Sequence, residues 1–556
     1  MKNVANVVQL PAWVLSSLIL GLSISHGFAS GPGVEVVEPI EILSWTSDFP
    51  VEKAVSVGIR NRHSRRIARV SFDPESLWIA APRPDGTLTT SVETRLTYPR
   101  VFGDVVIEPF PDERYVVSGR YVEQWTDGSM TWVGTINDYE HAEFIVAETE
   151  DSYFGILRIG PIVYELRAGS DGHAYIHEPD LSAYGIASAC KGGLTAEDAP
   201  GRIRSLDGGM DRPTDAAPLS SGSTSVIDIL LLYSNAAASN YDIEALANTS
   251  IASLNTSFDP GGINAVARIV HYSLVSSYTE ATSINDDPEL KNMLQQMRWG
   301  SGAFPNVPAL RNTHSADLVM MLWDGSKAGN ACGAGYIPSS FGGAEHRFAA
   351  STGDSCIAMF NNFTHEIGHN LGANHDYPHV LSAYSYSFGR SFAGDSSTPE
   401  FRTIMGTEHG CDINGCDRLN RWSDPGASYF SENLGVVGQS DNVSSHNLMR
   451  SVVANYRTPS GSIPGAMGTV TVTRGYCFSD NWIDWSPPSG VVGWYEVQID
   501  DNGSFSSPST FYRGVQNSLH LPVYSTTWVR ARACNSLGCN NWQNGSTTAT
   551  YTSGCL

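Results

Sequence analysis

Two periodicities divide the chain. From residue 30 to about 190, short runs alternate apolar and polar positions and stop at turn signals; Thr131-Trp132-Val133-Gly134-Thr135-Ile136 runs into Asn137-Asp138, and Phe154-Gly155-Ile156-Leu157-Arg158-Ile159-Gly160 follows. A period of two places alternate side chains on opposite faces of a strand, so this part is expected to be all-β. Beyond Ser225 the pattern changes. Val226 to Tyr233 is a continuous apolar run with the length of a buried strand, and Ile243, Leu246, Ala247, Ile251 and Leu254 recur at helical spacing between Asp242 and about Phe258. Ala265 to Val275 alternates again, residues 288 to 298 read as a helix, and Asp317 to Trp323 is a second buried strand. Strands alternating with helices predict an α/β layer on a mixed sheet. After Thr458, Pro459 to Gly465 reads as a linker, and Ile483 to Trp485, Trp494 to Ile499 and Thr527 to Cys534 return to short alternating strands, as in a β-sandwich. The chain is therefore expected to be multidomain: a β-rich region over 30–195, a linker over 196–225, an α/β domain over 226–458, a second linker over 459–466 and an all-β module over 467–556.

Composition adds compartment. Charged residues are 16% and hydrophobic ones 41% of 556 residues, a folding composition, and the net charge of −23 argues against a nucleic-acid partner. Lys2, the apolar run from Trp13 to Ile24 and Gly27-Phe28-Ala29 form a signal-peptide pattern, with cleavage expected after Ala29 and secretion to the outside. Gln9 and Pro11 interrupt the run, which is short for a bilayer span, and no later segment is apolar enough to insert stably in a membrane. An island of Arg60, Arg62, Arg65, Arg66 and Arg69 lacks interleaved aromatic residues, so it reads as a solvated turn or a face docking on an acidic domain. Residues 196 to 225 are rich in Gly, Pro, Ser and Asp and carry Arg202, Arg204 and Arg212, a maturation-site pattern.

Nine cysteines in an exported chain imply disulfides and one left over. Cys332, Cys356, Cys411 and Cys416 form one even group, paired here as Cys332–Cys356 and Cys411–Cys416, although four cysteines allow three connectivities. Cys477, Cys534, Cys539 and Cys555 form another. Cys190 is the odd one.

The candidate chemistry lies in His365-Glu366-Ile367-Gly368-His369-Asn370-Leu371-Gly372-Ala373-Asn374-His375-Asp376. Residues four apart on an α-helix share a face, so His365 and His369 can aim two imidazoles at one metal ion, with Glu366 beside the first to take a proton from water. A third ligand at His375 requires the chain to turn back. Gly372 permits this, because glycine accepts positive φ.

This pattern resembles the zinc signature of the metzincin metallopeptidases, and Thr403-Ile404-Met405-Gly406-Thr407 resembles their downstream methionine turn. Thr407 stands where astacins and serralysins carry tyrosine, which turns the resemblance toward the adamalysin/reprolysin side. Arg421-Trp422-Ser423-Asp424-Pro425 is similar to a loop of peptidyl-Asp and related reprolysin-like peptidases, and Val443 to Arg457 looks like their C-terminal helix. The resemblance implies one catalytic Zn²⁺ held by His365, His369 and His375, Glu366 as general base, Gly372, Asp376 and Met405 as supports, and Gly333 to Ile337 as the edge strand that pairs with an extended peptide. Trp125 to Asp180 resembles the propeptide of such secreted enzymes. The resemblance further implies that Cys190 occupies the fourth zinc position as an inhibitory ligand; its surroundings depart from the better-known switch consensus, and an inert or intermolecular thiol is the alternative. The C-terminal module resembles fibronectin type III, with Cys534–Cys539 across a hairpin and Cys477 left for Cys555. Such a module binds a surface or matrix or merely spaces the enzyme.

The expected activity is zinc-dependent hydrolysis of internal peptide bonds in protein substrates by an enzyme made as a zymogen. The rival reading is a secreted, non-catalytic adhesin using the type III module. It tolerates loss of Glu366 or a ligand histidine, and none is lost.

Overall fold

The computed structural model describes most of residues 40–179 and 224–549; 49–63, 80–97, 339–347, 377–381, 408–415, 475–479 and several shorter stretches within those spans lie outside the description. So do the signal segment, Cys190, the linker through residue 223, Cys411, Cys477 and Cys555.

The N-terminal strands close on themselves. Strands β1 (Ile40–Asp48), β2 (Ser64–Phe72), β3 (Asp104–Glu108), β4 (Tyr115–Gln124), β5 (Met130–Ile136), β6 (Glu143–Glu148), β7 (Ser152–Ile159), β8 (Ile162–Gly169) and β9 (Ala174–Pro179) pair in the order β4-β3-β1-β2-β9-β8-β7-β6-β5, and β5 pairs back to β4. Only β1 with β3 is parallel. The result is a nine-stranded barrel, which the alternation predicts as strands but not as a closed ring. Trp132, Phe144, Leu157, Tyr164 and Ile176 belong to its core.

The described arginines of the island, Arg65, Arg66 and Arg69, lie on a strand rather than in a turn. Arg65 and Arg66 lie on β2 and donate to Glu178 of β9 at 2.9 and 2.6 Å, and Arg66 also pairs with Glu113 and stacks 3.8 Å from the Phe110 ring centroid. Glu178 on the neighbouring strand and Glu113 in the loop before β4 thus supply counter-charges to Arg65 and Arg66 from within their own domain. Arg60 and Arg62 lie outside the described residues.

The α/β layer follows the predicted pattern. Strands β10 (Ser225–Tyr233), β11 (Ala265–Leu274), β12 (Leu318–Trp323), β13 (Gly333–Gly335) and β14 (Ala349–Gly353) form the order β11-β10-β12-β14-β13, parallel except for the last pair. Helix α1 (Ile243–Phe258) is capped by the Asp242 carboxylate, which accepts from the N–H groups of Glu244 and Ala245. Helix α2 (Lys291–Trp299) is preceded by a wide turn over Asp286–Leu290, so the helical segment begins earlier than its periodicity suggests. Helices α3 (Asp354–Phe360), α4 (Asn362–Asn370) and α5 (Asn442–Val453) complete the layer. The Cys332–Cys356 disulfide ties the start of β13 to α3. Cys416 is disulfide-bonded, and its expected partner Cys411 lies outside the described residues.

The C-terminal strands β15 (Val470–Arg474), β16 (Asp480–Trp485), β17 (Trp494–Asp500), β18 (Ser509–Gly514), β19 (Ser518–Pro522) and β20 (Trp528–Asn535) form two antiparallel sets, β15-β16-β19 and β18-β17-β20. Cys534 is bonded to Cys539. The segment 459–465 is tied down rather than free: the Asn535 side chain donates to the Ser462 carbonyl and the Gly465 N–H to Ser489, each at 2.8 to 2.9 Å. The module also does not stand apart. β18 pairs in parallel with β4, Tyr512 to Val122 through Gly514 to Gln124.

Candidate metal centre

Helix α4 is flanked by Asn361, whose φ of 54° breaks it from α3, and by Leu371. Its termination builds the site. The Gly372 N–H donates to the His369 carbonyl and the Ala373 N–H to that of Gly368, at 2.8 and 3.0 Å, with Gly372 at a φ of 86°. A Cβ on Gly372 would sit 2.4 Å from the Ala383 Cβ, so the turn excludes a side chain for steric as well as dihedral reasons. The chain then runs extended through Asn374–Asp376 and brings His375 back under the helix.

The three imidazoles converge. Their ring centroids are 4.8, 4.9 and 5.1 Å apart, one nitrogen from each lies within 4.8 Å of the others, and the Nε2 atoms of His365 and His375 are 3.1 Å apart. His365 Nδ1 lies 2.8 Å from the Ile404 carbonyl and His369 Nδ1 lies 2.9 Å from that of Ala373. A carbonyl only accepts, so both Nδ1 atoms carry the proton and both Nε2 atoms present a lone pair. Burial holds the His365 imidazole below its ordinary pKa and keeps it neutral. Nitrogens gathered in this way suit a cation, whose tetrahedral bonds of about 2.0–2.1 Å would set ligand atoms about 3.3 Å apart. The His365, His369 and His375 group fits a metal ion. A second cluster, Glu496 with Cys534 and Cys539, does not, because both sulfurs are spent in a disulfide.

Glu366 is buried on the same helix, and its Oε1 accepts from Asn362 Nδ2 at 3.1 Å. Asn362 Nδ2 also lies 2.9 Å from Thr352 Oγ1 on β14, which anchors it to the sheet. Glycines on β13 leave room for the carboxylate: a Cβ on Gly333 would lie 2.7 Å from Glu366 Oε1. Beneath the helix, a Cβ on Gly368 would meet Met405 Sδ at 2.5 Å, so the missing side chain lets the methionine turn pack against it. Asp376 Oδ2 accepts from both the N–H and the hydroxyl of Thr407, at 2.8 and 2.6 Å, and Ser391 adds a third donor. The Thr407 hydroxyl is thus committed to Asp376.

Several neighbours carry no sequence signal. Asn362 has none because its partner is set by the sheet; Asn370, which donates to the carbonyls of Tyr336 and Ala349 at 2.9 and 3.2 Å, is hidden for the same reason. Arg402 and Arg418 line a cleft with His365, Thr403 and Ile404, whereas the loop sequences single out no charge. One expectation is corrected. β13 does lie at the sheet edge, but Gly333 through Ile337 are buried rather than open, packed in part against α4. His365, Glu366, His369 and His375 are each at most 3% exposed.

Comparison with known proteins places this geometry. Residues 223–423 match the family described as Reprolysin_5, Metallo-peptidase family M12. The chain is 28% identical over 306 residues to a peptidyl-Asp metalloendopeptidase of Xanthomonas campestris pv. campestris, covering 54% of this chain and 66% of that one. A peptidyl-Asp metalloendopeptidase of Stenotrophomonas maltophilia is 29% identical over 230 residues, covering 41% and 51%. The chain thus spans between half and two thirds of the length of these relatives. Among solved structures, metalloproteinase-II from Bacteroides fragilis aligns at 14% identity and a TM-score of 0.30 over 49% of this chain and 81% of that one. The matched residues include the histidine triad, Glu366 and the methionine turn, so this part of the chain is similar to the reprolysin-like metallopeptidases of family M12.

Proposed function

We propose that the chain is a secreted zinc-dependent metalloendopeptidase that cuts internal peptide bonds of proteins and is made as a zymogen. The observation that carries this reading is the convergence of three buried imidazoles beside a buried carboxylate. His365, His369 and His375 would hold the ion. When bound, Zn²⁺ supplies Lewis acidity to water and to the scissile carbonyl. Glu366, oriented by Asn362, takes the proton of the attacking water and passes it to the leaving amine. Asp376 and Met405 keep the methionine turn in place under the histidines.

Removal of a signal peptide after Ala29 exports the protein. Cleavage within 196–225 matures it, the catalytic domain running over 226–458 and a fibronectin type III-like module over 467–556. The near-complete burial of the centre and of β13 supports a zymogen, since a peptide that pairs with this edge needs it uncovered. Cys190 fills the role of inhibitory ligand in this reading. The named specificity of the relatives, with Arg402 and Arg418 beside His365, supports recognition of an acidic side chain near the scissile bond.

The test compares purified, matured protein with Glu366→Ala for cleavage of a protein substrate and for zinc content. The expected outcome is equal zinc and a loss of roughly 10²–10⁴-fold in turnover for the variant. Equal zinc with an inactive parent would remove the enzyme reading.

A further inference from the structure

We infer that the barrel of residues 40–179 is a permanent partner of the metallopeptidase domain and the C-terminal module, and stays bound after the chain is cut within 180–223. The surface it covers is built to be covered. Helix α1 has a single charged residue, Glu244, and all its described residues except Glu244 are buried. A helix facing water would carry a charged stripe. Its outward side instead presents Asn248, Thr249, Ala252, Ser253, Asn255 and Thr256, and each polar one has a partner from the barrel. Asn248 donates to Ser129 Oγ at 3.0 Å, Thr249 to the Phe154 carbonyl at 3.1 Å and Asn255 to Glu123 at 2.9 Å. Thr256 bonds the Tyr121 hydroxyl at 3.0 Å, and Arg158 donates to Ser253 at 3.1 Å.

The apolar part is shared too. Phe154, Ile156 and Val163 of the barrel belong to the same buried cluster as Leu246 and Leu254 of α1. Tyr121, Val133 and Ile145 enclose Ala252. Such a contact is a core divided between two pieces, the character of an obligate interface.

The C-terminal module closes the arrangement. Among the described residues β3 pairs with β4 from Tyr115 to Ser118, and β18 pairs with the stretch of β4 from Val122 to Gln124. At that junction the buried Arg513 guanidinium joins all three parts: Glu496 of the module at 3.1 Å, Asp259 after α1 at 3.3 Å and Glu123 of the barrel at 3.6 Å. Taking the barrel away would strip Arg513 of Glu123 and leave β18 an open edge.

To test this, a flexible Gly/Ser insert of about twenty residues carrying a specific protease site is placed between Gly208 and Gly209, in a Glu366→Ala background so that self-cleavage plays no part. After complete cutting, verified on a denaturing gel, the protein is run by size exclusion at submicromolar concentration. Co-elution of both fragments at one-to-one stoichiometry is expected. Elution of the N-terminal fragment apart from the rest overturns the inference. In the cut protein, Arg513→Met, or the milder Glu123→Gln, is expected to release the barrel at a lower urea concentration. An unchanged release midpoint in both removes the junction from the account. Neither readout depends on catalysis.

Discussion

At the scale of single residues, Asn362 tests how Glu366 is held. Its amide bridges the carboxylate and Thr352, both buried, so removing it leaves the charge of Glu366 with one fewer donor and freer to rotate. Asn362→Ala is expected to lower kcat roughly tenfold with KM nearly unchanged, at a stability cost of about 1–3 kcal/mol. Steady-state kinetics on matured protein decide it. A matching rise in KM with kcat intact would assign Asn362 to substrate binding instead. This residue was invisible in the sequence, where it is one more asparagine before a helix. By contrast, Glu366 and the histidines were legible, because their relation is local: a helix imposes the i, i+4 geometry wherever it lies.

At the scale of elements, the site depends on the joint between the extended segment Asn374–Asp376 and the methionine turn. Asp376 makes that joint by accepting from the Thr407 N–H and hydroxyl and from Ser391. The same turn supplies the Ile404 carbonyl that orients His365. Asp376→Ala should therefore loosen a ligand it does not touch. The expected effect is a roughly 10–100-fold loss in metal affinity, the range for groups that orient ligands, measured by competition with a chelator. Unchanged affinity alongside a lower melting temperature would make Asp376 a purely structural joint. Of the elements, the strands β10, β11 and β12 and helix α1 were readable from periodicity. The burial of β13 was not, since a run of glycines and alanine carries no hydropathy signal for what packs on it.

At the scale of the whole molecule, the barrel changes what a minimal folded unit can be. A chain starting at residue 224 would expose the polar outward side of α1 and lose Phe154, Ile156 and Val163 from its core. Each such side chain contributes about 1.5–3 kcal/mol when buried, against a total domain stability of about 5–15 kcal/mol. The truncated chain is expected to be insoluble or to lack a cooperative unfolding transition. A monodisperse product with a sharp urea transition would show that the metallopeptidase domain is self-sufficient.

The sequence by itself determined what is set within a few residues of chain: the strand and helix periods, the two-histidine face with Glu366, and the turn at Gly372 that returns His375. Local sterics and hydrogen bonding decide these, so the pattern survives any arrangement of the rest. The tertiary structure alone decided that the first strands close into a barrel, that β4 pairs with β18, that Arg513 meets Glu123 and Asp259, and that the centre is shut from solvent. Strand pairing between positions about 390 residues apart depends on which edges remain unpaired and which charges become buried together, and an alternating pattern is the same whichever neighbour a strand takes.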